Sequence, residues 1–293
     1  VKMLKRDRRI LARRLILWGY TPGPRLGARD RYNVPKLYLD SLTDDRLLDD
    51  LATYQRFHSA PLDDLCQRIH GRKLRANGEI GPATLVVMNE RTCDVPDRLP
   101  AQDGSTDYAR WPDSCKDNIT ISWNFDKEPG LTEEQTQQVW ESVPKEFNRL
   151  FQMKVELRKD QYPATRIAAI SKSLPGSTLA WSYLADDNCA SNLRQAYDNT
   201  TTWSVQLATG TRKHECGHAF GLNHTPNDPD SLMYPSMRGQ TKLNKTDVAQ
   251  MLRIGYKLRE DAPPPKPNVS VVVTVDGKTY WNAWPVDDQQ FPM

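Results

Sequence analysis

The sequence predicts an α+β chain: a three-helix N-terminal domain, a larger mixed strand-and-helix domain, and a C-terminal β-hairpin. Three observations predict it. Residues up to about 91 carry apolar residues at helical spacing, and beyond about residue 112 two-residue alternation joins the helical pattern. Between them "PAQDGSTDYAR" (100–110) is polar and without period, as an exposed linker is. At 293 residues the chain can bury a core in each part. The expected boundaries are 1–97, a linker over 98–112, a second domain over 113–260, and a proline linker with hairpin over 261–293.

Taken in order, Leu4, Leu11, Leu15 and Trp18 share one face of a helix over 3–18. Leu47, Leu48, Leu51 and Tyr54 do the same over 44–57, behind Thr43 as cap and Asp44-Asp45 as an acidic first turn. A third helix opens in "GPATLVVMNE", with Pro82 at a first position, where its missing N–H is no loss. After the linker, "ITISWNF" (119–125) alternates as a strand. "LTEEQTQQVWESVPKEFNRLF" is a helix opened by the capping pair Thr132 and Gln135. Val139, Val143, Phe147 and Leu150 point inward, and Pro144 is expected to kink it. Short strands are expected at 153–158, 166–170 and 178–184, and helices at 206–221 and 245–257. Past "DAPPPKP", "VSVVVTVDGKTYWNAW" reads as a hairpin turning at Asp276-Gly277, an edge cover for the core or a docking module.

Residues 1–100 hold nineteen Lys/Arg against thirteen Asp/Glu, with seven of the basic residues in the first fourteen. No aromatic stacking set accompanies this charge, so it reads as a solvated helix face and no nucleic-acid partner is expected. No stretch approaches the roughly eighteen apolar residues of a transmembrane helix. No signal peptide is visible, and the start at Val1 rather than Met is read as processed. Cys66, Cys93, Cys115, Cys189 and Cys216 make an odd count, so at least one is unpaired or has another task, and the pairing of the rest stays open. Sequons at Asn118, Asn199, Asn244 and Asn268 matter only in a glycosylating pathway.

The densest chemistry is "HECGHAFGLNH", residues 214–224, which holds three of the chain's five histidines. Scattered at random, HExxHxxGxxH would arise in roughly a few such chains per million. On a helix, His214 and His218 lie one above the other. Gly221 lets the chain leave the helix with a backbone angle other residues resist, and the turn brings His224 to a third position. Three neutral imidazoles leave the fourth corner of a Zn²⁺ open, the arrangement of a catalytic site. Glu215, beside that corner, is the expected general base for peptide hydrolysis.

These residues carry a resemblance. "HECGHAFGLNH" followed by "SLMYPS" resembles the metzincin zinc motif and its Met-turn, and Met233 with Tyr234-Pro235 is similar to the matrixin, or matrix metalloproteinase, version. "GSTLAWSYL" resembles the family's rim strand, and "KLNKTDVAQMLRIGY" its closing helix. "YQRF…GEIGPATLVVMNERTCDVPD" resembles its propeptide, ending in a cysteine switch. The resemblance implies a mixed, mostly parallel twisted sheet with an active-site helix, and a secreted zinc endopeptidase made as a latent zymogen. It implies His214, His218 and His224 as zinc ligands, Glu215 as base, Met233 as the apolar floor, and Leu179, Ala180 and Pro235 as contacts for a protein or peptide substrate. Cys93 would fill the open corner until the linker is cut.

The chain departs from the family in several places. Arg91-Thr92 and Asp94 flank Cys93 where the family has Pro-Arg and Gly. Trp181 and Ala196 fall where two ligands of a second, structural zinc would stand, and His58 and His70 lie in the helical domain, so one zinc is expected. Asp198 matches a calcium ligand, but Thr201 replaces its acidic companion. "SMRGQTK" is shorter than the family's specificity loop. Cys216 points off the ligand face, toward the core. The propeptide fold is shared with peptidoglycan-binding domains, so a cell-wall-anchored protease is a second reading, with peptidoglycan as partner. A non-catalytic structural or virion-associated protein retaining the metal site is a third.

Overall fold

The computed structural model describes residues 5–17, 20–21, 36–58, 62, 66–67, 76, 78, 80–88, 92–93, 110–161, 166–174, 176–185, 189, 192–237, 239–261, 271–275 and 278–282. Most of the expected linker, the proline stretch, the Asp276-Gly277 turn, His70, Leu4 and Trp18 lie outside them.

Four helices occupy the described N-terminal residues: α1 (Lys5–Leu17), α2 (Lys36–Ser41), α3 (Asp44–Phe57) and α4 (Pro82–Met88). The Thr43 hydroxyl accepts the Arg46 N–H and so starts α3. Leu11 and Leu15 of α1, Leu39 of α2, Leu47, Leu51 and Tyr54 of α3, and Val87 of α4 form one buried cluster. The six-residue α2 was not expected; it is too short to show a period, and it is fixed by burial of Leu39 and by Arg9 of α1, whose guanidinium grips Asp40 at 2.6 and 2.7 Å.

A second cluster, from Trp111 to Tyr256, surrounds a twisted sheet. Its strands are β1 (Thr92–Cys93), β2 (Ile119–Trp123), β3 (Val155–Leu157), β4 (Arg166–Lys172), β5 (Thr178–Ser182) and β6 (Asn192–Asp198), in the order β1-β5-β6-β4-β2-β3. β3, β2, β4 and β6 run parallel, and β5 runs antiparallel to β6. The central strands are therefore mostly parallel, as expected. β6 was missed because "NLRQAYD" looks too polar for a strand. Its Gln195 and Asp198 are nonetheless buried, each held by side-chain hydrogen bonds.

α5 (Glu133–Leu150) has the reciprocal cap of Thr132 and Gln135 and continues through Pro144. Its inner face carries Trp140, stacked on Trp123 of β2 at 5.4 Å, and Phe147 against Phe220 at 4.6 Å. α6 (Val205–Ala219) packs against α5 and β5, and α7 (Lys245–Arg253) closes the domain, capped by Asn244 and Asp247. Asn244 is buried and donates to Asp228, so this sequon is a helix cap with no room for a glycan. Cys115 pairs with Cys189; Cys66, Cys93 and Cys216 are buried and take no part in that disulfide. β7 (Val271–Val275) and β8 (Lys278–Asn282) pair antiparallel. No helix among the described residues is long and apolar enough to cross a membrane.

Candidate metal centre

α6 begins where the Ser204 hydroxyl accepts the Leu207 N–H. Its last turns carry His214, Glu215 and His218, all fully buried. Gly221, at φ 100°, lets the chain reverse, with Leu222 N–H returning to Gly217 O at 2.9 Å. His224 then meets the other two. The Nε2 atoms lie 3.1 Å (His218 to His214), 3.1 Å (His218 to His224) and 3.3 Å (His224 to His214) apart.

This triangle fits a metal ion. His214 Nδ1 lies 2.7 Å from Leu232 O and His218 Nδ1 2.8 Å from Leu222 O, so both rings carry their proton on Nδ1 and present a lone pair at Nε2. Lone pairs do not bond one another, and a cation is the group that satisfies them together. Tetrahedral zinc at about 2.0–2.1 Å from each nitrogen would set them about 3.3 Å apart. Burial also holds the rings neutral: the His214 pKa is pushed down to about 3, and that of His218 well below its usual range. Ligation requires that state.

The floor is Met233. A side chain at Gly217 would meet the Met233 sulfur at 2.5 Å, so glycine is what lets the Met-turn lie directly beneath the ligand helix. Asp247, which sequence reasoning passed over, holds that turn. Its carboxylate accepts from Ser231 Oγ, from Leu232 N at 2.9 Å and from Met233 N at 3.3 Å, and it also caps α7 through Asn244 N at 2.9 Å. The Asn244-x-x-Asp247 spacing was its available signal. Gln250 of α7 accepts from Asn223 N at 3.1 Å and so steadies the approach to His224.

Cys93 completes the cluster. With the three histidines it forms a buried group of four whose ligand atoms lie within 4.8 Å of one another. Its thiol donates to Glu215 Oε2 at 3.4 Å. β1 runs parallel to β5 with Cys93 opposite Ala180, and Cys93 N–H donates to Pro235 O at 3.3 Å. An extended segment is thus held by backbone on both sides, between the edge strand bearing Leu179 and Ala180 and the Met-turn.

The family model for matrixins matches residues 117–254. Those residues are a matrixin-like metzincin catalytic domain. The match takes in the histidines, Glu215 and Met233 and stops short of Cys93 and the helices before it. No curated protein matches the chain. Matrixins are zinc metalloproteases with peptide substrates, and that much carries to the matched domain.

Other expected residues of the matrixin-like domain sit apart from the centre. Asp198 accepts from Leu174 N at 2.9 Å, from Thr200 Oγ1 at 2.8 and 3.0 Å, and from Thr201 Oγ1 at 2.7 Å. A calcium ion would have to displace these donors from the same lone pairs. Trp181 faces Ala196 across β5 and β6, with the Lys172 ammonium 5.2 Å from the Trp181 ring centre. Cys216 is in the core beside Gln195, its thiol pKa pushed up to about 12 by burial. Arg212 and Lys213, just before His214, are also buried, which their charge in sequence gave no reason to expect. Arg212 pairs with the equally buried Glu128 and lies 4.2 Å from the Tyr197 ring centre and 4.6 Å from that of Trp203. Lys213 donates to Thr241 O at 2.8 Å.

Proposed function

We propose that this chain is a zinc-dependent endopeptidase held latent by its own N-terminal segment. The observation that carries the proposal is the placement of Cys93 within one buried group with His214, His218 and His224, its thiol on Glu215. Those three histidines would hold the metal. Bound there, zinc supplies polarisation of a peptide carbonyl and a water acidic enough to react near neutral pH.

The chain's own groups do the rest. β5 and Pro235 O hold an extended peptide by its backbone, as they hold β1, so recognition comes from strand addition next to the metal. Glu215 takes the proton of the attacking water and passes it to the amine nitrogen of the broken bond. Met233 and the buried helix exclude solvent beneath the histidines. While Cys93 sits against Glu215, its thiol stands where that water must enter, and β1 fills the strand's pairing edge. Latency therefore has a coordinative layer and a steric one.

The Cys115–Cys189 disulfide supports an oxidising, extracellular setting. For calcium, the hydroxyl and amide donors already on Asp198 argue against a site, and we assign zinc alone. The test is to treat the whole chain with a trace of trypsin-like protease and assay casein with and without a zinc chelator. Chelator-sensitive cleavage appearing only after the cut is the expected result. No cleavage in any arm would favour a non-catalytic metal site, and full activity before the cut would remove the latency reading.

A further inference from the structure

α6 ends at Ala219, one residue past His218, and the chain must turn there before it can deliver His224. Two donors from outside the helix meet that end. The Trp111 indole N–H donates to Ala219 O at 2.8 Å, and Ala185 N–H donates to His218 O at 3.4 Å. Carbonyls at a helix C-terminus lack partners inside the helix, so such donors fix where the helix stops. Trp111 and Ala185 are both buried and lie far apart in sequence, yet a covalent bond joins their segments. Cys115 follows Trp111 across the turn that Cys115 N–H closes onto Pro112 O, Cys189 stands four residues after Ala185 in the sequence, and the two cysteines form the disulfide.

The gripped end is coupled to the ligands. Gly221 N–H also returns to His218 O, at 2.9 Å, and Leu222 N–H to Gly217 O. The carbonyl of the same Leu222 orients the His218 ring through Nδ1. A shift of the helix end therefore moves the group that aims one ligand and the turn that delivers another.

We propose that Trp111, Ala185 and the Cys115–Cys189 disulfide form a clamp on the C-terminal end of α6 that positions His218 and His224, so that metal affinity depends on the clamp. These are positioning residues; none is among the metal-ligating group. The proposal rests on the reading of the histidines as a zinc site.

The test measures zinc affinity of the whole chain by competition with a chromogenic chelator, and the visible spectrum of the Co²⁺-loaded protein, which reports coordination geometry. Trp111→Phe keeps most of the ring and removes the donor; the double variant Cys115→Ser/Cys189→Ser removes the cross-link. Both are expected to bind zinc about 10- to 100-fold more weakly, as loss of groups that orient metal ligands does, and to shift the cobalt bands. Cys66→Ser, in the helical cluster, should match the parent. Parent-like affinity and spectrum in either clamp variant overturn the proposal. If the double variant fails to fold, Trp111→Phe decides alone. A parent chain that binds no zinc overturns the metal reading and this inference with it, whereas tight binding by parent and clamp variants alike overturns only the inference.

Discussion

The proton held by each group separates the roles at the metal centre. Glu215 is an acceptor beside the histidine triangle and is not one of the clustered ligands. Glu215→Ala is therefore expected to lower cleavage by about 10²–10⁴-fold while elemental analysis still finds one zinc. Cys93→Ser in the uncut chain should raise activity, because a neutral hydroxyl is a poorer zinc ligand than a thiolate, with β1 keeping it below that of the cut enzyme. An uncut serine variant as silent as its parent would leave only the steric layer. The imidazoles give a pH dependence whose sign is fixed. Burial lowers the His214 pKa from 6.5 to about 3 and lowers that of His218 as well, so below about pH 6.5 the unfolded chain takes up protons that the folded chain refuses. Their contribution to stability is complete above that pH and is lost as pH falls toward about 3. Urea midpoints of chelator-treated protein should drop between about pH 7 and about pH 4.5, and a flat profile would contradict the burial of these rings.

Between elements, α7 governs the centre through Asp247 although it contributes no ligand. Its carboxylate serves Ser231, Leu232 and Met233 on one side and the cap of its own helix on the other. Burial raises the Asp247 pKa above the ordinary carboxylate value, and those donors oppose that rise by favouring the charged form. Asp247→Ala strands several buried donors and is expected to cost about 3 kcal/mol in urea unfolding, at about 1–3 kcal/mol for a buried group left unpaired. It should also weaken zinc binding, since Leu232 O holds the His214 ring. Asp247→Asn, which keeps one acceptor oxygen, should lose less. Equal losses in the two variants would mean that the carboxylate's hydrogen bonds are not what holds the turn.

For the whole molecule, the proposed latency predicts where an activating cut would fall. One buried cluster lies within residues 11–88 and the other within 111–256, and β1 is the strand that passes from the first into the sheet of the second. Arg98 and Arg110 flank the polar stretch between them. Trp111 is fully buried with its indole committed to Ala219 O, so a cut after it would remove a core side chain. N-terminal sequencing of the active form should therefore begin between Leu99 and Trp111; a start inside the helical part would contradict the latency mechanism. The disulfide spans a sequence separation of 74 residues and encloses β2 through β5. Its loss should cost on the order of 4 kcal/mol in the chain-entropy account.

Local rules were enough for much of this molecule. The caps Thr43, Thr132 and Gln135, the apolar faces of α1, α3 and α5, and the spacing of His214, His218, Gly221 and His224 are each set by residues within a turn or two of one another, so the sequence alone determined them. What it could not determine depends on distant partners. "NLRQAYD" is a strand because β4 and β5 flank it and because its polar side chains find donors and acceptors in the core. Arg212 is buried because Glu128 and three aromatic rings enclose it, and a charge in sequence carries no mark of such company. Cys115 paired with Cys189 was one of several possible pairings, chosen only when folding brought their segments together. Asp247 caps its own helix through a residue three positions away, but its hold on the Met-turn joins segments about fifteen residues apart. Burial and hydrogen bonding between segments far apart in the chain are properties of the packed molecule, and tertiary structure decided them.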